Sequence, residues 1–221
     1  MRHISHRAGR HAAFAFLLLG LAALAAASTL PASRQAQIVL VSGTVRVDGK
    51  LADIGQSLNP VALIETGPAS RCDIVFGGGN AVSFSQNTRA RIDFNSPAIS
   101  LRLEWGGVTS VLKKLEKLVG RTAFDISTPQ TLAGVRGTSF CVWCAAGETY
   151  VCACNGRVHF EDQKGGNVED LASAHHAGRI YEERNGKIVV VKAGVLHHDD
   201  ASVESVAKDI GYTIDWSRLD E

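Results

Sequence analysis

The stretch Ile38-Val39-Leu40-Val41-Ser42-Gly43-Thr44-Val45-Arg46-Val47-Asp48-Gly49 sets apolar against polar side chains with a period of two and closes on an Asp-Gly pair. That pattern predicts short strands joined by tight turns, because successive strand side chains point to opposite faces and Asp-Gly supplies positive φ cheaply. The shape returns at Asn155-Gly156-Arg157-Val158-His159-Phe160 and at Asn185-Gly186-Lys187-Ile188-Val189-Val190-Val191, each opened by an expected Asn-Gly turn. Further strands are expected at Arg71–Phe76, Ala81–Ser85, Ala90–Phe94, Ala98–Glu104 and Phe124–Ser127, which makes the domain all-β. Gly77-Gly78-Gly79 lies between two of these strands, lacks a Gly-Lys-Ser/Thr ending and opens no helix, so it is expected to be a hairpin turn and not a phosphate loop.

Two segments break the period. Thr109–Val119 places Val111, Leu112, Leu115, Leu118 and Val119 at helical spacing, with Gly120 at the stop position. Asp200–Ile210 puts Val203, Val206, Ala207 and Ile210 on one face, with Asp199 or Asp200 as the cap and Gly211 as the stop. The tail Tyr212–Trp216 alternates again and is expected to dock Ile214 or Trp216. One or two short peripheral helices therefore accompany the strands.

The chain has 221 residues, 45% apolar and 20% charged, enough to bury a core and too apolar for a disordered chain. Its net charge of +1 combines two unlike parts. Residues 1–27 carry Arg2, Arg7 and Arg10, no acid, and an apolar run from Ala12 to Ala26 followed by small residues, the layout of a secretory signal peptide. That run falls short of the roughly 20 residues that span a bilayer, so cleavage before Ser28 is expected, with an uncleaved anchor as the alternative. Without residues 1–27 the chain holds 20 basic and 22 acidic side chains, a net charge of −2 that argues against nucleic-acid binding. The expected organisation is a signal peptide over 1–27, a β domain over 36–195, and a C-terminal helix and tail over 196–221. The expected location is periplasmic or secreted.

The segment from Phe124 through Thr128-Pro129 to Gly134-Val135-Arg136-Gly137-Thr138-Ser139-Phe140 resembles the signature of the FecR domain, the periplasmic module of iron-dicitrate-type sensor and anti-sigma regulators. There, an F-x-V-x-T-P stretch leads into A-x-V-R-G-T-x-F. Ile64–Ser70, Asn87-Thr88-Arg89, Gly106-Gly107-Val108 and Thr149–Val158 follow the same order of features. The resemblance implies a β-solenoid-like or sandwich-like fold of short strands. With only about eleven residues ahead of the apolar run, it implies a stand-alone exported module without a sigma-binding segment. Physically, Thr128-Pro129 forces extended backbone, Gly134 and Gly137 permit tight turns, and Phe124, Val135 and Phe140 are spaced as strand anchors. Arg136 is expected to lock the turn by bonding backbone carbonyls or a carboxylate.

Five cysteines, Cys72, Cys141, Cys144, Cys152 and Cys154, follow the leader. In an oxidising compartment they suggest disulfides. A hairpin of Ser139–Cys144 with Thr149–Cys154 sets Cys144 opposite Thr149 and Cys141 opposite Cys152. It also puts Cys141, Trp143, Tyr150, Cys152 and Cys154 on one face, and Phe140, Val142, Cys144, Val151 and Ala153 on the other. Cys141–Cys152 is the bridge this register favours, with Cys72–Cys144 a second candidate. The competing reading takes C-x₂-C and C-x-C, that is Cys141, Cys144, Cys152 and Cys154, as thiolates around zinc or iron, or as part of a haem-handling site. His175-His176 and His197-His198 flank the last strands. With Asp199-Asp200 they could contribute to a transition-metal site, at most one histidine of each pair serving one ion. No local nucleophile, base and orienter motif is present, so no catalysis is expected. The function expected from sequence is a non-catalytic binding, assembly or sensing module without a cofactor, whose partner is another envelope protein. Membrane contact would come only through an uncleaved leader.

Overall fold

The computed structural model describes residues 35–95, 98–113 and 124–220. The leader and most of the expected helix over 109–119 lie outside the described residues. Fourteen strands follow in chain order: β1 (Ala36–Ser42), β2 (Val45–Val47), β3 (Lys50–Leu51), β4 (Val61–Thr66), β5 (Arg71–Phe76), β6 (Asn80–Phe84), β7 (Arg89–Asp93), β8 (Ile99–Leu112), β9 (Phe124–Ser127), β10 (Thr131–Ala145), β11 (Glu148–Asp162), β12 (Glu169–Ser173), β13 (Ala177–Arg184) and β14 (Lys187–Ala193). One helix, α1 (Asp200–Lys208), completes the described chain.

Three strands, β8, β10 and β11, are long enough to run through two sheets. The first half of β8 pairs with β7 and β9, and its second half with β6 and β10. The first half of β10 pairs with β9, and the second with β8. In β11 the order reverses: Glu148–Ala153 pair with β13, and Gly156–Phe160 with β12. One layer therefore reads β3-β2-β4-β7-β8-β9-β10-β11-β12, and the other β1-β5-β6-β8-β10-β11-β13-β14. Among the described strands all pairings are antiparallel except β8 with β9, and the shared strands close the two layers into a small barrel with further strands outside it, an all-β architecture and not a stack of parallel solenoid rungs.

Between the layers lies one apolar core that draws on nearly every strand, from Ile38 and Val45 to Val158 and Tyr181. Phe76, Phe94, Phe124 and Phe140 form a chain of ring contacts, with centroids 5.6 to 6.3 Å apart. Such pairs contribute about 0.5–1.5 kcal/mol each beyond the area they bury. Phe124 and Phe140, the strand anchors of the motif, stand in this chain.

The expected turns at Asp48-Gly49 and Asn185-Gly186 are present, both residues of each having positive φ, and Gly77-Gly78-Gly79 is the β5–β6 hairpin turn. Asn155-Gly156 departs from expectation. It is no turn but the interior of β11, where the strand passes from one sheet to the other opposite Thr138 and Ser139. The pairing slips between Val135 and Thr138, and Gly156 has φ 126°. A Cβ there would sit 1.9 Å from the Thr138 hydroxyl, so glycine is what lets the two bent strands touch. The expected helix over 109–119 is also corrected in its described part, since Thr109–Leu112 complete β8. Val111 and Leu112 are both buried there because this part of the strand is covered on both faces, by the core and by α1. A strand buried on both sides loses its alternation, and a short apolar run then fits either period.

The helix α1 follows its sequence signals. Asp199 is the cap, with Ser202 N donating to its carboxylate at 2.8 Å and Asp199 N donating to the Ser202 hydroxyl at 3.0 Å. Val203, Val206 and Ala207 are buried against Ala81, Val111, Cys141, Tyr150, Cys152 and Cys154 on the outer face of the second sheet, together with Ile214. Arg71 of β5 pairs in bidentate fashion with buried Asp73, at 2.6 and 2.8 Å, and reaches the Ser205 hydroxyl at 3.1 Å. Burial, then the neighbouring Asp73 charge, push the Asp209 carboxyl up to about 6, while Arg71 opposes the shift.

Two outcomes follow. Gly156→Ala should destabilise the chain by about 2–4 kcal/mol through the forced clash and positive φ, a fall of roughly 5–15 °C in melting temperature. Asp209 has a folded pKa above its unfolded value near 3.9, so its protonated form favours folding and that contribution is lost as pH rises from about 4 through 6. Asp209→Asn should therefore gain on the order of 1 kcal/mol over wild type at pH 8, discounted for partial solvation, and nothing at pH 4. Urea unfolding at the two pH values measures it.

Candidate functional site

The signature segment proves to be a fastening. Thr128 is buried, and its Oγ1 accepts from the backbone N–H of Gln130 at 3.2 Å and of Thr131 at 3.0 Å while meeting the Thr149 hydroxyl at 2.8 Å. The Thr149 hydroxyl in turn donates to the Gln130 side chain at 2.8 Å. Pro129 lies in the resulting bend, Gly134 and Val135 pair with β9 and β11, and Gly137 has φ 131° at the strand shift. The Thr138 hydroxyl donates to the Asn155 carbonyl at 2.6 Å. Arg136 lies in β10 at this shift; its side chain is outside the described residues.

The hairpin register of β10 with β11 is the expected one, Cys141 opposite Cys152 and Cys144 opposite Thr149. The faces also divide as expected: Phe140, Val142, Cys144, Val151 and Ala153 enter the core, and Cys141, Trp143, Tyr150, Cys152 and Cys154 face the helix layer. The disulfides are a correction, because all five thiols are free. Cys141 turns toward the Thr109 hydroxyl, 3.3 Å away, and toward Cys154, whose sulfur lies 3.6 Å off. A disulfide needs about 2.05 Å. Cys152 turns instead toward His176, at 3.7 Å. Cys72 and Cys144 lie in the shared core without a bond between them. The four-cysteine metal set is corrected as well. Cys144 faces the opposite side of the sheet, so Cys141, Cys144, Cys152 and Cys154 do not converge.

What converges with Cys152 and Cys154 is one histidine from each pair, His176 and His198. His198 Nε2 lies 3.4 Å from the Cys154 sulfur and 3.3 Å from His176 Nδ1. Each imidazole is held from behind. His198 Nδ1 bonds the Leu196 carbonyl at 2.7 Å, and His176 Nε2 bonds the Asp200 carboxylate at 2.7 Å. Asp200 also engages His175 at 3.0 Å.

The local structure explains how distant segments arrive here. The Tyr150 hydroxyl donates to the Gly194 carbonyl at 3.1 Å and accepts from Leu196 N–H at 3.2 Å, while His197 stacks on Trp143 at 4.7 Å. These contacts pin the 194–198 loop over β11. His176 N–H donates to the Cys154 carbonyl at 2.9 Å. The Asn155 amide donates to the carbonyls of Ala174, Asp215 and Arg218, tying the loop before His176 to the tail. Trp216 covers both His175 and His176, about 5 Å from each ring. A cleft of about 320 Å³ opens beside the cluster, with Arg71, Ser83, Thr109, His198 and Val206 in its wall.

The cluster is strongly polarised. The Cys152 thiol is drawn down to about 3, first by Cys154 donating to it, then by His176 and His198, against a desolvation that opposes ionisation. Burial likewise opposes ionisation of Cys141, yet Cys154, His198 and Thr109 hold it at about 6. Cys154 is raised by its own burial and by its two thiolate neighbours. Desolvation works against a proton on His198, but Cys141 and Cys152 outweigh it and push the imidazole up to about 11. Sequence reasoning found both histidine pairs and three of the thiols, but it missed the Asn155 anchor, for which an Asn-Gly dipeptide gives no distinguishing signal.

A family profile described as "FecR protein" matches residues 62–159. Two crystal structures of a candidate anti-sigma factor from Parabacteroides distasonis ATCC 8503 are similar to the chain. The one at 2.50 Å resolution has 20% identity, TM-score 0.49 and 61% coverage of each chain. The one at 1.65 Å resolution has 20% identity, TM-score 0.48 and 60% coverage of each. The chain thus spans about three fifths of their length. No curated protein matches the sequence.

Replacing Thr128 by Val keeps the shape but removes the acceptor for two buried N–H groups and the Thr149 partner. Thr128→Val should cost about 2 kcal/mol in chemical denaturation.

Proposed function

We propose that the chain, whose residues 62–159 match the FecR family profile, works as a non-catalytic binding, assembly or sensing module of the cell envelope. The observation that carries this reading is the family match itself. It covers the strands that run through both sheets and the fastening at Thr128–Thr138. Regulators built on this domain act by contact with other proteins, and a partner in the envelope is the corresponding expectation here. The basic, then apolar, then small-residue layout of residues 1–27 supports export to the periplasm or beyond, with cleavage before Ser28. An uncleaved leader would instead make the chain the periplasmic part of a signalling system. Among the described strands that end a layer, β3 with exposed Leu51 and β14 at the end of the other layer offer edges to a partner.

N-terminal sequencing of the chain recovered from envelope fractions should read from Ser28, whereas recovery of the whole chain in the cytosol would overturn export. Photo-crosslinkers at Leu51 and at Val190 of β14, used in living cells, should give an adduct of discrete mass. A lack of adducts from both edges, with an unchanged transcript profile in a deletion strain, would overturn the module reading.

A further inference from the structure

We propose that Cys152, Cys154, His176 and His198 are the four ligands of one zinc ion that fastens the start of α1 and the 174–176 loop to the outer face of the second sheet. The four ligand atoms all lie within 4.8 Å of one another. A tetrahedral ion with Zn–N near 2.0–2.1 Å and Zn–S near 2.3 Å has ligand–ligand edges of about 3.3–3.8 Å. The contacts of 3.4 Å for Cys154 with His198, 3.3 Å for His198 with His176 and 3.7 Å for Cys152 with His176 fall in that range.

The surroundings carry the same signature. A metal-bound imidazole commonly donates its other N–H to a carboxylate or a backbone carbonyl, which fixes the tautomer. His176 does so to Asp200 and His198 to the Leu196 carbonyl, leaving His176 Nδ1 and His198 Nε2 as the inward lone pairs. Both of these histidines sit near residues with positive φ, His176 itself at 53° and His197 at 62°, conformations that the surrounding contacts impose. Two thiolates and two neutral imidazoles balance a divalent ion, so the buried site carries no net charge. On binding, any proton held by the two sulfurs or by the two inward ring nitrogens passes to solvent; two Zn–S and two Zn–N bonds form, and no oxidation state changes. With four protein ligands the site is closed, which suits a structural or sensing ion better than a catalytic one. Cys141 stays outside as a thiol beside Cys154. The module function proposed above does not depend on this site.

Full-length protein purified under reducing conditions and given equimolar zinc should hold one zinc per chain by native mass spectrometry. Cobalt substitution should give thiolate charge-transfer absorption and intense tetrahedral bands. Cys154→Ser and His198→Ala should lose the metal, whereas Cys144→Ser and Cys72→Ser should keep it. Asp200→Asn, a positioning change, should retain the fold by circular dichroism and weaken zinc roughly 10–100-fold in competition with a chromophoric chelator. Chelation of the wild type should speed hydrogen exchange of the α1 amides. Wild type that takes up neither ion, full zinc retention in Cys154→Ser and His198→Ala, or loss of zinc in Cys144→Ser would each overturn the assignment. So would unchanged affinity in a folded Asp200→Asn variant.

Discussion

Three strands crossing between two sheets are the constraint on which the rest of this protein depends. A strand can change sheets only where its ladder is interrupted, and β10 and β11 are interrupted together, at Val135–Thr138 and at Asn155-Gly156. The Thr138 hydroxyl bonded to the Asn155 carbonyl fixes that crossing, and glycine at 156 lets the backbones meet. Because the crossing lies in the middle of a long hairpin, it sets the register of everything on either side. Toward one end it aligns Phe124 and Phe160 with the core; toward the other it turns Cys152 and Cys154 outward.

The same crossing makes a second, smaller interior. The outer face of the β6-β8-β10-β11 layer is apolar, and a sheet face of that kind needs cover. The helix α1, Ile214 and Trp216 supply it, and the anchors that hold them are polar: the capping box at Asp199 and Ser202, the Arg71–Asp73 pair reaching Ser205, and the Asn155 amide holding three carbonyls. The cysteine and histidine cluster lies where this cover meets the sheet. Its groups are therefore both buried and drawn from separate segments, the two conditions under which ionisable side chains perturb one another most. The cleft bounded by Arg71, Thr109 and His198 opens beside this place, and a partner or ligand entering it would touch His198 of the cluster directly.

Much of the architecture was legible because the signals were local. Period-two alternation gave β5 and β9 to the residue, the Asp-Gly and Asn-Gly pairs gave two turns, and Asp199 marked the start of the helix, which ends at Lys208, two residues before the expected Ile210. The hairpin register put Cys141 opposite Cys152 and sorted the ten flanking side chains onto their faces. Where the reading failed, burial on both faces or a change of sheet had erased the period: at Val111 and Leu112, which read as helical, and at Asn155-Gly156, which read as a turn.

By itself, then, the sequence determined the all-β class, the strand faces, and the helix and its cap, since each rests on spacings of a few residues along one chain. Only the tertiary structure decided which thiols meet which imidazoles. Register can set Cys141 across from Cys152, but it says nothing about a loop that returns 24 residues after Cys152 with His176 or 44 residues after Cys154 with His198. Those approaches depend on Tyr150, Asn155 and Trp143 pinning loops from outside the hairpin, contacts made through space whose energies have no counterpart in sequence spacing.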